Sequence, residues 1–177
     1  MKQIAGILIG WIALVLVQGC TGNQHPNNYN NKPLVDDKGL AFLNSGTETG
    51  LTMIKISGLP LSNSKNQEVI QFAQKINGDN TRLVAELKKM KTDNFVTSED
   101  SISDKHQQMI SRLTKMHGTL FDKACLQEII NGQQQLISLF EAATHNGNVN
   151  VVDFAKIKLP DLRARLESEK TLSAALK

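Results

Sequence analysis

The chain has 177 residues and a net charge of +3, from 20 Lys and Arg against 17 Asp and Glu. This length is enough for one folded domain with a substantial core. The small, unclustered basic excess argues against a nucleic-acid partner, which requires several phosphates to be neutralised together. Aromatic residues make up only 5% of the chain and no β-branched alternation is sustained, so the sequence predicts helices rather than a β-sandwich or barrel.

Residues 1–19 have the pattern of an export signal, in which a lysine is followed by an apolar run. This run is shorter than the ~20 residues of a permanent membrane span. The tetrapeptide Val17-Gln18-Gly19-Cys20 resembles a bacterial lipobox, although Gln18 departs from the small or hydroxylated residue usual there. The resemblance implies that Cys20 is lipidated and anchors the protein to the membrane. The alternative is a cysteine that follows an ordinary signal by chance.

Residues 20–38 are rich in Asn and Pro and contain almost nothing apolar to bury, so we expect a flexible tether that starts at Cys20. Thr21 stands where lipoproteins retained at the inner membrane of enteric bacteria have Asp. By that resemblance we expect the outer membrane, on its periplasmic side, as the location. A helical bundle domain is expected over residues 39–177.

Apolar residues at alternating steps of three and four predict helices in this domain. Five stretches carry the spacing: Gly39–Leu59, Glu68–Met90 with an extension to about Thr92, Ile102–His117, Leu120–His145 and Val149–Leu176. Four long helices joined by short polar loops pack most economically as an antiparallel bundle, with Ile102–His117 as an additional short helix. We therefore expect an all-α fold.

Local signals set the expected helix boundaries. Pro60 should end the first helix, and an N-cap within Ser62-Asn63-Ser64 should start the second. The polar stretch Asn94–Ser103 should form a loop, and Gly118 should close the short helix. Pro160 should start a fresh helix or kink a continuous one.

Polar residues interrupt the apolar stripes at three positions. Asn80 lies four beyond Ile76 and three before Leu83, and Gln133 interrupts the later stripe in the same way. His106 falls on the apolar face of the short helix. One interpretation is a mutually hydrogen-bonded polar layer that fixes helix register, as a buried Asn does in coiled coils. The other is a pocket in the bundle centre in which Asn80 and Gln133 orient a polar ligand.

Four short blocks, in their order along the chain, resemble a bacterial family of exported, ferritin-like proteins. The blocks are Phe72-Ala73-Gln74-Lys75-Ile76, Gly118-Thr119-Leu120-Phe121-Asp122-Lys123-Ala124, Leu139-Phe140-Glu141 and Leu159-Pro160-Asp161-Leu162. The family is the one known as domain of unknown function 4142, and the likeness covers roughly Leu40–Leu176. It implies a ferritin-like four-helix bundle without a settled activity.

The resemblance also implies where a metal site would lie. The family pattern has an Asp-His pair where this chain has Asp79-Asn80, and a His at about Gln133 and at about Arg165. It also has a Glu near Met53. All four candidate ligands are replaced here while Asp79 is retained, so we expect no metal in this member.

The residues themselves offer no catalytic constellation either. The Glu-x-x-His repeats of a di-iron carboxylate bundle are missing from the sequence. Cys125, the one thiol left once Cys20 is lipidated, has a setting typical of a buried small hydrophobe. Glu141 and His145 are four apart, but an exposed His at a helix end more often complements the helix dipole than binds an ion. We expect no cofactor and no enzyme activity.

These observations favour a non-enzymatic, lipid-anchored envelope protein with a structural or interaction role and an envelope protein as partner. Two alternatives from other classes stay open. One is a ferritin-like metal or redox protein with a degenerate site. The other is a small-ligand-binding module whose pocket includes Asp79, Asn80, His106 and Gln133.

Overall fold

The computed structural model describes residues 34–176, and every regular element within them is a helix. In chain order the helices are α1 (Asp37–Gly58), α2 (Pro60–Asn63), α3 (Gln67–Asp93), α4 (Asp104–Thr114), α5 (Gly118–Ala143) and α6 (Val149–Ala175). The expected all-α bundle of four long helices with an additional short helix is confirmed. The predicted signal peptide, Cys20 and most of the predicted tether lie outside the described residues.

Side chains just ahead of three helices fix where those helices begin. Asp36 accepts a hydrogen bond from the N–H of Gly39 at 2.7 Å, and Asn66 and Asn148 cap the first turns of α3 and α6 in the same way. Such caps satisfy N–H groups that have no partner inside the helix. Val35, next to the first cap, is buried in the core, so packing begins ahead of the predicted domain start at residue 39.

The predicted N-cap of α3 within Ser62-Asn63-Ser64 is wrong, because Pro60–Asn63 forms a helical turn of its own. Pro60 does end α1, which stops at Gly58, and it then serves as the first residue of α2. The Asn63 amide donates to the carbonyls of Thr114 and Met116, at 3.0 and 2.7 Å. This side chain therefore fastens the end of α4 instead of capping α3.

The short helix α4 is shorter at both ends than the predicted Ile102–His117. The loop 94–103 lies where it was expected. Gly118 has a φ of +65°, a left-handed conformation that favours glycine. It begins α5 instead of closing α4, because the chain leaves α4 after Thr114 and turns before reaching it.

Helix α6 continues through Pro160 without a break. Of the two predicted alternatives, the fresh start is therefore wrong and the continuous helix is correct. Pro160 is exposed, whereas Leu159 and Leu162 are buried on the core side. The carbonyl that the proline leaves without an N–H partner belongs to Lys156, which is also exposed. The hydrogen bond that the proline removes therefore lies on the solvent side of α6, and core packing keeps the helix continuous.

Contacts between helices give the topology. The ring of Phe42 in α1 packs edge-on against Phe140 in α5, and the sulfur of Met53 further along α1 lies against Gly132. The two helices are therefore antiparallel. The same reasoning makes α1 antiparallel to α3, and α6 antiparallel to both α3 and α5. Helices α3 and α5 are consequently parallel, and the connection that carries α4 returns the chain along the bundle.

Two glycines of α1 lie directly against side chains of α3. A Cβ added at Gly50 would lie 2.5 Å from Cγ2 of Val84, and one at Gly46 would lie 3.4 Å from Leu87. Small residues allow two helix backbones to come together in this way. No helix in the described range 34–176 is long and apolar enough to cross a membrane.

The core consists of two apolar clusters. Leu83 and Leu136 belong to the cluster that includes the start of α1, and Ile76 and Ile129 belong to the other. Asn80 lies between Ile76 and Leu83 along α3. Gln133 lies between Ile129 and Leu136 along α5, so the two polar interruptions coincide with the boundary between the clusters.

Candidate functional site

Polar side chains from three helices occupy the region where the two apolar clusters meet. We call this set the polar layer, and its members are Asp79, Asn80, Gln133, Arg165 and Glu169. Asp79 and Asn80 lie on α3, Gln133 on α5, and the last two on α6. Four of the five residues are buried, and the side chain of Arg165 is 19% exposed.

Asn80 and Gln133 are both fully buried, with an exposure of 0%, and they do not bond to each other. The Asn80 amide donates to the carbonyl of Ile76 at 3.0 Å, and the Gln133 amide donates to that of Leu162 in α6 at 2.7 Å. Neither side-chain oxygen has a hydrogen-bond partner among residues 34–176. The interpretation as a mutually satisfied pair is therefore wrong. An unpaired buried oxygen costs about 1–3 kcal/mol.

Asp79 is the charged centre of the layer. Its carboxylate pairs with Lys75 at 3.3 Å and with Arg82, both on its own helix, and with Nε of Arg165 at 3.5 Å. The last of these pairs joins α3 to α6. A groove of about 400 Å³ runs between the two helices, and Asp79 and Arg165 line it.

The layer does not suit a metal ion. At the four positions where the resemblance places ligands, the chain offers the thioether of Met53, two amide groups and the guanidinium of Arg165. Arginine is a permanent cation and has no lone pair to donate. It also holds the carboxylate of Asp79 in an ion pair. The described residues contain no group of three His, Cys, Asp or Glu side chains that could hold an ion.

Glu169 is the member of the layer that sequence reasoning missed. Its exposure is 0%, and neither carboxyl oxygen has a hydrogen-bond partner in the part of the chain that the structure describes. Burial raises its pKa to about 8, and the charges of Arg165 and Lys75 offset only part of that rise. A signal was present in the sequence, because Glu169 lies three beyond Leu166 and three before Leu172. It interrupts the α6 stripe as Asn80 interrupts that of α3.

His106 takes no part in the polar layer. Its Nδ1 lies 3.0 Å from Oε1 of Glu48 in α1, and the N–H of Ser103 donates to the same oxygen at 3.0 Å. Partial burial acts to raise the pKa of Glu48, but the hydrogen bonds from Ser103 and His106 outweigh it and hold the pKa below its ordinary value. His106 thus fastens α4 to α1, away from the pocket in which the sequence placed it.

The remaining candidates for chemistry are engaged elsewhere. Cys125 is fully buried, and burial, with the nearby charges of Asp122 and Glu128, raises its pKa to about 12. Such a thiol is not a nucleophile at neutral pH. Glu141 forms an ion pair with Arg163 of α6 at 2.7 Å. Its charged partner is therefore Arg163 and not His145.

Comparison with known protein families gives a match over most of the chain. The family model described as "Domain of unknown function (DUF4142)" matches residues 24–172. No curated protein and no solved structure shows a significant match.

Proposed function

The chain belongs to the DUF4142 family, and we propose that it is a non-enzymatic, lipid-anchored protein of the cell envelope. Its bundle would serve a structural or interaction role beside the membrane, with an envelope protein as partner. The expected location is the outer membrane, facing the periplasm. The motif around Cys20 and the polar segment after it support the anchor and the location.

One observation carries the non-enzymatic part of the proposal, namely the ion pair between Arg165 and Asp79. It occupies the place where the family resemblance puts metal ligands. The single long crossover between α3 and α5 is the connection of ferritin-like bundles, so we infer that the fold derives from such a protein. In that case Arg165 puts a fixed positive charge where a metal ligand would be. This charge repels a metal cation and so disfavours a resident ion. This observation counts against the metal or redox alternative.

The anchor can be tested with a matched pair of variants, because the chain has two cysteines. Cells expressing the full precursor are fed an alkyne-tagged fatty acid, and the protein is assayed for the tag and for partition into detergent. The wild-type chain and the Cys125→Ala control should carry the tag, and Cys20→Ala should lose both the tag and the partition. Detergent partition that survives in Cys20→Ala would refute the anchoring proposal.

A further inference from the structure

Three of the six large apolar side chains that are exposed between residues 34 and 176 lie at one end of the bundle. They are Leu34, Phe95 and Val149, with exposures of 61%, 46% and 67%. They come from three separate segments, namely the residues ahead of α1, the turn after α3 and the first residue of α6. We call these three residues the apolar end.

Hydrogen bonds hold the three segments of the apolar end together. The N–H of Leu34 donates to the carbonyl of Asn94 at 3.0 Å, and the amide of Asn148 donates to the carbonyl of Leu34 at 3.3 Å. Phe95 directly follows Asn94 in the chain. Val149 directly follows Asn148, so all three apolar residues lie within one residue of this junction. Exposed apolar side chains that gather in this way mark a contact site for a membrane or a protein.

The backbone at Phe95 does not call for a phenylalanine. The N–H of Val96 donates to the carbonyl of Lys91 at 2.9 Å, and the N–H of Phe95 donates to that of Thr92 at 3.1 Å. This pattern ends a helix through a residue in the left-handed conformation, where glycine or asparagine is favoured. Phe95 has a φ of +56°, and no other residue from 34 to 176 except glycine has a positive φ. A contact outside the bundle would account for its half-exposed ring.

The predicted tether joins the bundle at this same end. Fourteen residues, from Cys20 to Pro33, precede Leu34 in the sequence, and a chain of that length spans at most about 50 Å. As a flexible linker it would have a mean end-to-end distance of about 20 Å. With Cys20 lipidated, as proposed above, the bilayer surface is therefore held close to the apolar end. A short linker makes the second contact effectively intramolecular, so a weak apolar contact is sufficient.

We propose that the apolar end docks on the lipid bilayer. This inference rests on the proposed anchor at Cys20. The side chains of Leu34, Phe95 and Val149 lie in the interfacial region, where apolar groups of peripheral proteins reach about 5–10 Å into the boundary between headgroups and acyl chains. The bundle then stands with α2 at the end remote from the bilayer.

The test measures how close residue 95 comes to the acyl chains. The full precursor is expressed in cells, the acyl groups on Cys20 are identified by mass spectrometry, and the mature protein is reconstituted in vesicles of phosphatidylcholine with or without bromine on the acyl chains. Bromine quenches indole fluorescence at short range. The one tryptophan of the sequence, Trp11, lies in the predicted signal peptide, so Phe95→Trp introduces the one indole of the mature chain.

Two control variants separate docking from tethering. Leu61→Trp changes an equally accessible residue, 61% exposed, in α2 at the other end of the bundle. The 22 residues of α1 put that end about 33 Å away. The second control adds Leu34→Ser and Val149→Ser to Phe95→Trp, which removes two exposed apolar side chains and leaves the anchor and the tether unchanged.

Bromine should reduce the emission of Phe95→Trp by about half, as expected at the boundary between headgroups and acyl chains, and should leave Leu61→Trp unchanged. The triple variant should lose the quenching. An acylated Phe95→Trp protein without quenching would overturn the docking alone and leave a protein as the occupant of the apolar end. Quenching that survives in the triple variant would also overturn it. A mature chain without acyl groups on Cys20 would overturn the anchor and this inference together.

Discussion

Arg165 of α6 reaches across the bundle to Asp79 of α3, with Nε 3.5 Å from Oδ2. The two residues lie at the level where the two apolar clusters of the core meet. The carboxylate is 91% buried, since its side-chain exposure is 9%, and it has two further basic partners on its own helix. The pair therefore links α3 to α6 and fills, with a fixed positive charge, a place that the family resemblance assigns to metal ligands.

Removing the charge of Arg165 should destabilise the fold. In Arg165→Met the side-chain stem is kept but Asp79 loses its interhelical partner, so the free energy of unfolding should fall by about 1–3 kcal/mol. The control is Arg163→Met, which breaks the exposed pair with Glu141 and should cost less than about 1 kcal/mol. Urea titrations followed by circular dichroism measure both. An equal loss of unfolding free energy in the two variants would contradict the larger contribution expected from the pair with Asp79.

Glu169 should make stability depend on pH. In the unfolded chain its carboxyl ionises near the ordinary value of 4.5, whereas in the folded protein its pKa is raised to about 8. Between these values the folded state holds the extra proton. The contribution of Glu169 to stability is thus full below pH 4.5 and is lost as the pH rises through about 8.

The matched variants for this effect are Glu169→Gln and Glu167→Gln, the latter on the exposed side of α6. The wild-type chain and Glu167→Gln should lose stability from pH 5 to pH 8, by on the order of 3 kcal/mol in total. Glu169→Gln should lack this component and be the more stable protein at pH 8. Urea titrations at several pH values give the comparison, and identical slopes for Glu169→Gln and the wild type would contradict the assignment.

Asn80→Leu should stabilise the protein. The change restores the apolar stripe of α3 and removes a buried oxygen without a partner, so the free energy of unfolding should rise by about 1–2 kcal/mol. Asn77→Leu is the contrasting variant, because the Asn77 amide donates to the carbonyl of Ile54 at 2.8 Å and to the hydroxyl of Ser57. That variant should be destabilised. Denaturant titrations that rank the two in the opposite order would refute this account of Asn80.

Two glycines within helices should respond oppositely to alanine. At Gly50 the added Cβ would lie 2.5 Å from Val84, and crowding of this kind costs about 1–3 kcal/mol. At Gly78 of α3 the nearest neighbour is a flexible arginine atom at 4.0 Å, so Gly78→Ala should gain up to about 1 kcal/mol from helix propensity. Adding Val84→Ala to Gly50→Ala should recover part of the loss. Thermal midpoints test the set, and a stabilised Gly50→Ala would contradict the close approach of α1 and α3.

The long helices could be predicted from sequence because their three-and-four spacing runs through many turns and is what the core selects. Helix α3, which was predicted to reach about Thr92, ends at Asp93. Boundaries were harder, since they depend on contacts between distant segments. Asn63 is an example, because it binds carbonyls more than fifty residues away instead of capping a helix.

The candidate site was predictable in part. Spacing identified Asn80 and Gln133 as buried polar residues, and the same rule applied to α6 would have found Glu169. The carbonyl that each amide binds could not be predicted, since Asn80 donates to Ile76 of its own helix and Gln133 donates to Leu162 of α6.

We propose that the ion pair between Arg165 and Asp79 has replaced a metal site. The most direct measurement is elemental analysis of the full chain, purified without chelators from cells grown with added iron, manganese and zinc. We expect no metal above the level of an Arg165→Met sample treated in parallel with a chelator. Stoichiometric iron, manganese or zinc in the wild-type protein would show that the metal site has not been replaced.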